Sequence, residues 1–477
     1  MIAAGIVSVP ATQVDLGNGA WRIIATIMAV TIAGVASSAV IYAATPLYIK
    51  VFPDPQIIGL LSSLYFLVGS VSAGLCGGIG DLYGRRTTLA WVLAIVALGG
   101  TIGASIGHPY VVVVAHAVQG VGIAVPTLCL GLLREHVPAP RLPFAVALVA
   151  TASTGTAGFF FFLAGFIMDH YSWRWTFIVG LLFLVPAISL LLTFIPHTAR
   201  TARPSKVPAV NGLMFGLSSL CLLLATGKAG ESGLFAVDTL CLFALGLLVL
   251  YAWVRQSLRI ETPMVDVRLL LRPGLAATIA AYGLLSVGVN QFPQVLIYVG
   301  RATPAAGIGG GLSSTLASAM LVPFSILSLV GGPLAGLAAA RYGRRVVFLT
   351  GMALVAVPWA MLALLHHSHM TLSVIAIVAG FIYGGSSPAF RIALVGESPP
   401  SRTSSAMGIA EVLRAFSMGI GAQLVAMLML GNHAKPERMS IAPGNFHLLL
   451  ALVFVTLAGA FGIYQLFGGR EQKFRES

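Results

Sequence analysis

Two strongly apolar runs of the sequence meet at Gly77-Gly78-Ile79-Gly80-Asp81-Leu82-Tyr83-Gly84-Arg85-Arg86-Thr87-Thr88-Leu89. This turn contains several glycines, one acid and two adjacent arginines. Both flanking runs are long and apolar enough to cross a membrane, so its charges are expected at a membrane interface. A turn this short and this charged, placed between two spans, is a candidate moving part of the protein.

The composition of the chain supports membrane-spanning flanks. Of its 477 residues, 58% belong to the hydrophobic set and 9% are charged, against roughly 25% charged in a soluble domain. Several uncharged runs reach the ~20 residues that a helix needs to cross a bilayer. These runs are continuous and do not alternate at every second residue, which excludes a β-barrel. The sequence therefore predicts an all-α polytopic membrane protein.

The apolar runs divide the chain into a first set of six helices, a middle pair and a last set of six, about fourteen spans in all. We expect a cytoplasmic N-terminus at 1–21, a six-helix bundle at 22–196, a linker with two inserted spans at 197–273, a second six-helix bundle at 274–468 and a cytoplasmic tail at 469–477.

The formal net charge of +13 follows the membrane topology. Lysine and arginine concentrate in the connections at alternate helix ends, which is the positive-inside pattern. This pattern predicts a multi-pass protein of the cell inner (plasma) membrane with both termini in the cytoplasm. Because no basic stripe interleaved with aromatic residues lies on a polar face, the sequence gives no sign of nucleic-acid binding.

Cofactor and metal chemistry have no support in the sequence. Cys76, Cys129, Cys221 and Cys241 all fall in apolar runs, with spacings that suit neither a metal site nor a disulfide framework. The sequence contains no Walker motif, no metal-ligand cluster and no nucleophile–histidine–acid set. We therefore expect no cofactor, no bound metal, no catalytic residue and no enzymatic activity.

A second copy of the opening turn lies in the last set of helices. Residues 336–345 read Gly336-Leu337-Ala338-Ala339-Ala340-Arg341-Tyr342-Gly343-Arg344-Arg345, again after the second helix of a six-helix set. Ala340 stands where the first copy has Asp81. Two parallel six-helix halves with the same turn at the same place are typical of a transporter built by duplication.

In these features the chain resembles the major facilitator superfamily, and within it the fourteen-helix drug:proton antiporter branch. Gly77–Leu89 matches the family's loop 2–3 signature. Ser172-Trp173-Arg174-Trp175-Thr176-Phe177 resembles a hallmark of the sixth helix in that branch, and Pro263-Met264-Val265-Asp266-Val267-Arg268-Leu269 resembles the segment that leads into its second half. The resemblance implies the major facilitator fold, two six-helix bundles plus two inserted helices.

Three positions depart from the antiporter pattern. The fourth-helix motif, His116-Ala117-Val118-Gln119-Gly120, has histidine where the family has arginine. In the fifth helix, Phe161-Phe162 and Ala164-Gly165 fall on a motif whose proline is missing here. Ser37 stands where an acid is common in the first helix. The motifs that connect the family to proton-coupled antiport are therefore incomplete in this chain, whereas the features that indicate transport are present.

The charged turn suggests a gate between the two halves. Ser401-Arg402-Thr403-Ser404-Ser405 is typical of the start of a helix, and a carboxylate docked there is stabilised by about 0.3–2 kcal/mol. Asp81 is thus predicted to latch the first half onto this helix when the protein is open to the outside. Arg85 or Arg86 would meet Glu135. The alternative is a solvated loop that only sets topology. The gating candidates are Gly77, Asp81, Gly84, Arg85, Arg86 and Glu135.

Four ionisable residues are candidates for proton coupling. Glu411 lies inside a span, where a charge costs at least ~2.5 kcal/mol, with Arg414 three residues later and Arg391 at similar depth in the preceding helix. These groups form either a fixed ion pair or a switch in which protonation of Glu411 frees an arginine. His116 is either a packing residue or a proton carrier, since an unperturbed histidine titrates near ~6.5.

Polar and aromatic residues inside the spans predict a central substrate cavity. Membrane helices rarely bury such polar groups without partners, and an aromatic wall suits hydrophobic substrates. Contacts between helices and with lipid are the alternative roles. The cavity candidates are Gln119, Phe161, Phe162, Tyr282, Asn290, Gln291, Gln294 and Tyr383.

These observations predict a secondary active transporter of the multidrug exporter type. It would exchange protons for hydrophobic or amphipathic small molecules by alternating access, as a monomer in the lipid bilayer. Whether a periplasmic adaptor protein acts with it is open at this point. The alternatives are a uniporter or symporter for a small organic solute and, from another class, a membrane-embedded enzyme or receptor on the same scaffold.

Overall fold

The computed structural model describes residues 18–52, 54–138, 142–196, 209–233, 235–260, 263, 265–303, 308–366, 368–398, 403–430 and 441–468. At a few positions within these ranges, Asp81 among them, it describes the backbone and not the side chain.

This described part of the chain contains fourteen long helices and no β-strand, which confirms the all-α polytopic fold. The helices are α1 Asn18–Ala44, α2 Pro55–Tyr83, α3 Arg85–Ser105, α4 Pro109–His136, α5 Leu142–His170, α6 Trp175–Phe194, α7 Ala209–Ser232, α8 Val237–Ser257, α9 Pro273–Arg301, α10 Ser314–Tyr342, α11 Arg344–Leu364, α12 His369–Glu397, α13 Thr403–Leu430 and α14 Pro443–Phe467.

Two helices contain a short irregular segment that matters for the site. In α4 the segment is the 3-10 turn Gly120–Ala124, and in α9 it is Val289–Gln291. A proline follows each segment within two residues, Pro126 in α4 and Pro293 in α9. Proline cannot donate a backbone hydrogen bond and crowds the preceding turn, so it kinks a helix at this place.

The bundle has two ends that differ in charge. We call the end at which α1 begins and α14 ends the basic end, because the paired arginines Arg85-Arg86 and Arg344-Arg345 open α3 and α11 there. The opposite end, at which α1 passes into the 3-10 segment Thr45–Lys50, is called the far end.

Small residues let the helices approach closely, as is usual where lipid gives no hydrophobic drive for association. The crossing of α10 and α12 is an example. A Cβ atom added at Gly384 would lie 2.2 Å from the Ser328 carbonyl oxygen, and one added at Gly331 would lie 2.3 Å from the Phe381 carbonyl oxygen. Glycine is therefore required at this crossing.

The middle pair α7 and α8 packs on the rest of the bundle through α7. Within the pair, the Asn211 amide donates to the Ser257 hydroxyl at 2.8 Å. On the face of α7 that meets the bundle, Gly212 packs against Leu75 of α2. The Phe215 ring lies edge-on to Phe416 of α13, with ring centroids 6.0 Å apart. The pair thus covers the seam along which α2 meets α13.

The two copies of the charged turn have the same backbone and the same anchor. Gly84 and Gly343 are single residues between two helices, with φ of 91° and 85°. The second arginine of each copy then donates to a carbonyl at the end of another helix: Arg86 to Leu192 of α6 at 2.5 Å, and Arg345 to Gln465 of α14 at 2.8 Å. The repeat in the sequence is a repeat in structure.

Replacement of either turn glycine by alanine should destabilise the protein. Side chains disfavour these positive φ values, and strain of this kind costs about 1–3 kcal/mol. Gly84→Ala and Gly343→Ala should each lower the midpoint of thermal unfolding in detergent. Gly336→Ala is the matched control, because Gly336 is helical and an added Cβ would meet no atom within 4 Å. Equal midpoints for all three variants would contradict the required glycine conformation.

Candidate functional site

Two arginines share one carboxylate inside the bundle. On α13, the Arg414 Nε atom lies 2.7 Å from Oε2 of Glu411, one turn before it. From α12, the Arg391 Nη2 atom lies 3.8 Å from the other carboxylate oxygen. Arg414 and Glu411 are about three-quarters buried, whereas the Arg391 side chain is 55% exposed. The structure thus brings together three of the four residues predicted for proton coupling.

A cavity of about 190 Å³ lies beside this cluster. Four helices of the last set enclose it, namely α9, α11, α12 and α13, and Arg414 is its charged lining residue. Three predicted cavity residues, Tyr282, Asn290 and Tyr383, line it. The remaining lining is mostly apolar and consists of Leu285, Val289, Pro293, Phe348, Met352, Val355, Ser386, Ser387, Phe390 and Met418.

Aromatic side chains give this cavity a rigid wall. The rings of Tyr282 and Phe390 are stacked, with centroids 3.5 Å apart and planes 11° apart. The Tyr383 hydroxyl donates to the Val289 carbonyl oxygen at 2.5 Å and accepts from the Trp359 indole at 2.9 Å. Because the kink of α9 leaves the Val289 carbonyl without its usual helical partner, Tyr383 holds the kink in place.

The other predicted cavity residues lie outside this lining. Gln291 is fully buried, and its amide donates to the Met418 carbonyl oxygen at 3.1 Å, which joins α9 to α13. Gln294 is fully buried as well. Phe161 packs against the main hydrophobic core, and Phe162 stacks on Phe166 within α5. Sequence reasoning could not separate these positions, because a kink changes which face of a helix each residue occupies.

His116 and Gln119 pack together inside α4. The His116 Nδ1 atom lies 3.3 Å from the Gln119 amide oxygen, and both side chains are buried. The imidazole also stacks on the Tyr65 ring of α2, with centroids 4.7 Å apart. Tyr65 belongs in turn to a small buried cluster with Phe66 and Met418. These contacts place His116 in the packing of α2 against α4.

The charged turn at the basic end contacts α4. The Arg85 guanidinium pairs with Glu135 at 2.9 Å, which is one of the two contacts that the sequence suggested. The Arg85 side chain crosses Gly131, where an added Cβ would lie 2.5 Å from it. The side chain of Asp81 and the helix start at Ser401–Ser405 that would receive it fall outside the side chains that the structure describes, so the latch stays a prediction.

The second copy of the turn repeats this packing on α12. The Arg344 side chain crosses Gly396, where an added Cβ would lie 2.4 Å from it. An acid, Glu397, follows Gly396 directly and ends α12. In each half, the first of the two arginines in the charged turn therefore lies against a glycine near the end of another helix.

A polar cluster that the sequence did not reveal joins α5 to α10 at the far end. Both the backbone amide and the hydroxyl of Thr315 donate to one carboxylate oxygen of Asp169, at 2.7 and 2.9 Å. Lys50 lies 3.5 Å from the other oxygen and 3.3 Å from the Ser314 hydroxyl. A carboxylate at the start of a helix is stabilised by unpaired amides and the helix dipole. Asp169 thus holds the first turn of α10.

The same end is closed along α2 and α13. The Ser63 hydroxyl donates to the Gln423 amide oxygen at 3.2 Å. A Cβ added at Gly59 would lie 2.5 Å from Gln423, and one added at Gly419 would lie 3.0 Å from the Ser63 carbonyl oxygen. These contacts leave no space between the two helices in their far-end halves.

Packing is looser toward the basic end. A Cβ added at Gly77 of α2 or at Gly408 of α13 would meet no atom within 4 Å. Taken with the tight far-end contacts of the same two helices, this places the open side of the seam at the basic end. Among the described side chains, α2 and α13 therefore pack more tightly in their far-end halves than near Gly77 and Gly408.

Comparison with known proteins agrees with this architecture. The family model of the Major Facilitator Superfamily matches residues 26–299 and 298–470. The multidrug efflux pump LfrA of Mycolicibacterium smegmatis is 26% identical over 363 residues, which cover 75% of this chain and 69% of LfrA. The uridine/deoxyuridine transporter of Lactococcus lactis is 24% identical over 344 residues, 69% of this chain and 70% of that protein.

Solved structures show the same fold. The crystal structure of a D-xylose-proton symporter superposes on this chain with a TM-score of 0.64 at 15% sequence identity. The match covers 94% of this chain and 98% of the symporter.

Removal of the Asp169 carboxylate should loosen the far end. The negative charge of an acid at a helix start contributes about 0.3–1 kcal/mol, so Asp169→Asn, which keeps an acceptor oxygen and loses the charge, should raise the rate at which the closed interface opens by up to roughly fivefold. Labelling of a cysteine introduced at the buried Ser318 by a hydrophilic maleimide measures that rate, with the four native cysteines replaced by serine.

Asp238→Asn is the matched control for this measurement. Asp238 also lies at the far end and accepts from the Thr239 amide at 2.9 Å, but it belongs to α8, remote from α5 and α10. If Asp169→Asn labelled Ser318→Cys no faster than Asp238→Asn did, the Asp169 cluster would have no role in closure.

Proposed function

Because this chain belongs to the major facilitator superfamily of membrane transporters, we propose that it exports hydrophobic or amphipathic small molecules in exchange for protons. The observation that carries this proposal is the arginine–glutamate–arginine cluster beside an aromatic cavity. It combines an ionisable group at membrane depth with a binding surface for an apolar molecule, in one place.

Transport would proceed by alternating access between two six-helix bundles, residues 22–196 and 274–468, which rock about the seam of α2 with α13 and α5 with α10. The excess of lysine and arginine in the connections supports a cytoplasmic basic end, both termini in the cytoplasm and insertion in the inner (plasma) membrane. In this orientation the closed far end faces outward and the cavity is reached from the cytoplasm.

The gate at the basic end would close in the other half of the cycle. The loops at Gly84 and Gly343 are held by arginines against the ends of α4 and α12. In the outward-open state Asp81 would dock on the start of α13 and lock the two bundles together. Asp169 holds α10 at the far end in the present state. Two different carboxylates would thus act in the two states, Asp169 at the far end and Asp81 at the basic end.

Glu411 is the proposed proton carrier. In its ionised form it binds Arg414 and Arg391, and protonation removes the charge that holds both arginines. Since α13 also carries Met418 of the cavity and Gln423 of the closed seam, a change at Glu411 reaches both the substrate site and the gate. This shared helix is a physical route from proton binding to conformational change.

The relatives support efflux and also show how broad the substrate range of such chains is. LfrA is named a multidrug efflux pump, and the relative from Lactococcus lactis is named a uridine/deoxyuridine transporter. The cavity, at about 190 Å³, is smaller than the roughly 300–1,000 Å³ of most drug-sized sites. In this state it accommodates a group of one or two rings.

A symporter is the second candidate, and the shared carboxylate favours it for an acidic substrate. A substrate anion at Arg414 would weaken the hold on Glu411 and so favour its protonation. Proton and anion would then bind together and cross in the same direction. Antiport and symport thus use the same residues and differ in the direction of proton flow.

Glu411→Gln should uncouple transport from the pH gradient. Its neutral side chain imitates protonated glutamate, so the arginines are released at every pH. In vesicles with purified protein, an imposed pH gradient should no longer drive accumulation of a fluorescent substrate, which falls to the level of protein-free vesicles, while exchange at equal pH continues. The wild-type protein should show substrate-dependent proton flux.

Asp54→Asn serves as the control, because Asp54 caps the start of α2 at the far end, away from the cavity. Proton flux opposite to the substrate supports antiport, and flux in the same direction identifies symport. Accumulation by Glu411→Gln at the wild-type rate would exclude Glu411 as the proton carrier.

A further inference from the structure

Positive charge exceeds negative charge in the cluster beside the cavity. Within the described helices, Glu411 is the one acid that lies more than a turn from a helix end. Two guanidinium groups face its single carboxylate, so the cluster carries one net positive charge.

Each oxygen of Glu411 already faces an arginine. Oε2 lies 2.7 Å from Arg414, and Oε1 lies 3.8 Å from Arg391. A cation entering the cavity would therefore meet an excess of positive charge, and the carboxylate of the cluster already faces two arginines.

We propose that the cavity selects organic anions, and that Arg414 is the residue that recognises their carboxylate or sulfonate group. This inference rests on the proposed transport function and names its substrate class. Arg414 lines the cavity, and its guanidinium has five N–H donors, of which Nε is used by Glu411. The remaining donors suit a bidentate contact with a planar or tetrahedral anion.

The rest of the lining specifies the body of such a substrate. The stacked pair Tyr282 and Phe390, with Phe348 and Met418, offers flat apolar surface beside the arginine. Asn290 and Ser387 supply two neutral polar groups. An aromatic or amphipathic anion of one or two rings fits this arrangement, with its charge toward α13 and its rings against α9 and α12.

The membrane potential would assist export of such a substrate. With the cell interior negative, outward movement of an anion is driven by the potential, whereas outward movement of a cation is opposed by it. This holds where the anion leaves alone or in exchange for an entering proton, whereas cotransport of a proton with the anion moves no net charge.

Binding of matched naphthalene probes tests the charge preference directly. The probes are 2-naphthalenesulfonate, 2-naphthylmethanol and trimethyl(2-naphthylmethyl)ammonium, and calorimetry with the full chain in lipid nanodiscs gives the dissociation constants. We expect the sulfonate to bind at least about tenfold more tightly than the ammonium ion, with the neutral alcohol between them. Equal affinities, or tighter binding of the ammonium ion, would overturn the proposal.

Three variants and one control test whether the arginine–glutamate–arginine cluster causes the preference for the sulfonate. Arg414→Gln should lose the sulfonate preference, and Arg414→Lys should keep most of it, since the charge remains. Glu411→Gln should bind the sulfonate more tightly than the wild type, because the net charge of the cluster rises. Arg272→Gln, which removes an exposed arginine at the basic end, is the control and should bind like the wild type.

The direction of the Glu411→Gln effect separates recognition from a merely structural role of the cluster. Damage to the fold would weaken binding of every probe, whereas charge recognition strengthens binding of the sulfonate alone. A loss of sulfonate affinity in Glu411→Gln with Arg414→Gln unchanged would overturn the assignment.

Transport of the two charged probes by proteoliposomes distinguishes this inference from the function on which it rests. Movement of the sulfonate and exclusion of the ammonium ion support both. If the ammonium ion is carried and the sulfonate is not, the chain is a transporter and the anion assignment is wrong. If neither probe nor any other small molecule moves, the proposed transport fails, while the calorimetry still decides the charge preference of the cavity.

Discussion

The hydrocarbon core of a bilayer offers no water to an unpaired charge or an unpaired backbone group, and much of this structure follows from that constraint. Each span is a helix whose backbone is satisfied within itself. The breaks in α4 and α9 are at least partly buried, and Tyr383 donates to the Val289 carbonyl, whose usual helical donor is missing because residue 293 is proline. Glu411 is held by two arginines for the same reason, and this places a compact charged cluster beside the cavity.

The two copies of the charged turn share their anchors in the bundle but not their acid. The two copies of the turn share a glycine with positive φ and an arginine bound to the end of a distant helix. A cation at the carboxyl end of a helix satisfies carbonyls that have no partner in the helix itself and complements the helix dipole. The acid of the first turn, Asp81, has no counterpart at Ala340. At the basic end, the turn of the first half therefore contains a carboxylate and the turn of the second half does not.

One helix links the candidate site to the closed end. Along α13 the charged pair Glu411 and Arg414 comes first, Met418 of the cavity follows a turn later, and Gln423 of the far-end seam lies beyond it. The inserted pair packs on the same helix through Phe215 and Phe416. A shift of α13 thus changes the cavity, the seam and the contact with the inserted pair together, so this helix couples them mechanically.

The sequence by itself determined the number and class of the helices and the repeated turn, because long apolar runs and glycine-arginine turns are local signals. It also predicted the contact of Arg85 with Glu135 and the shared depth of Glu411, Arg414 and Arg391. Only the tertiary structure joined Asp169 to Thr315, which are 146 residues apart. It also assigned Tyr282 to the cavity and Gln291 to a contact between helices, since kinks and crossings set which face each side chain occupies.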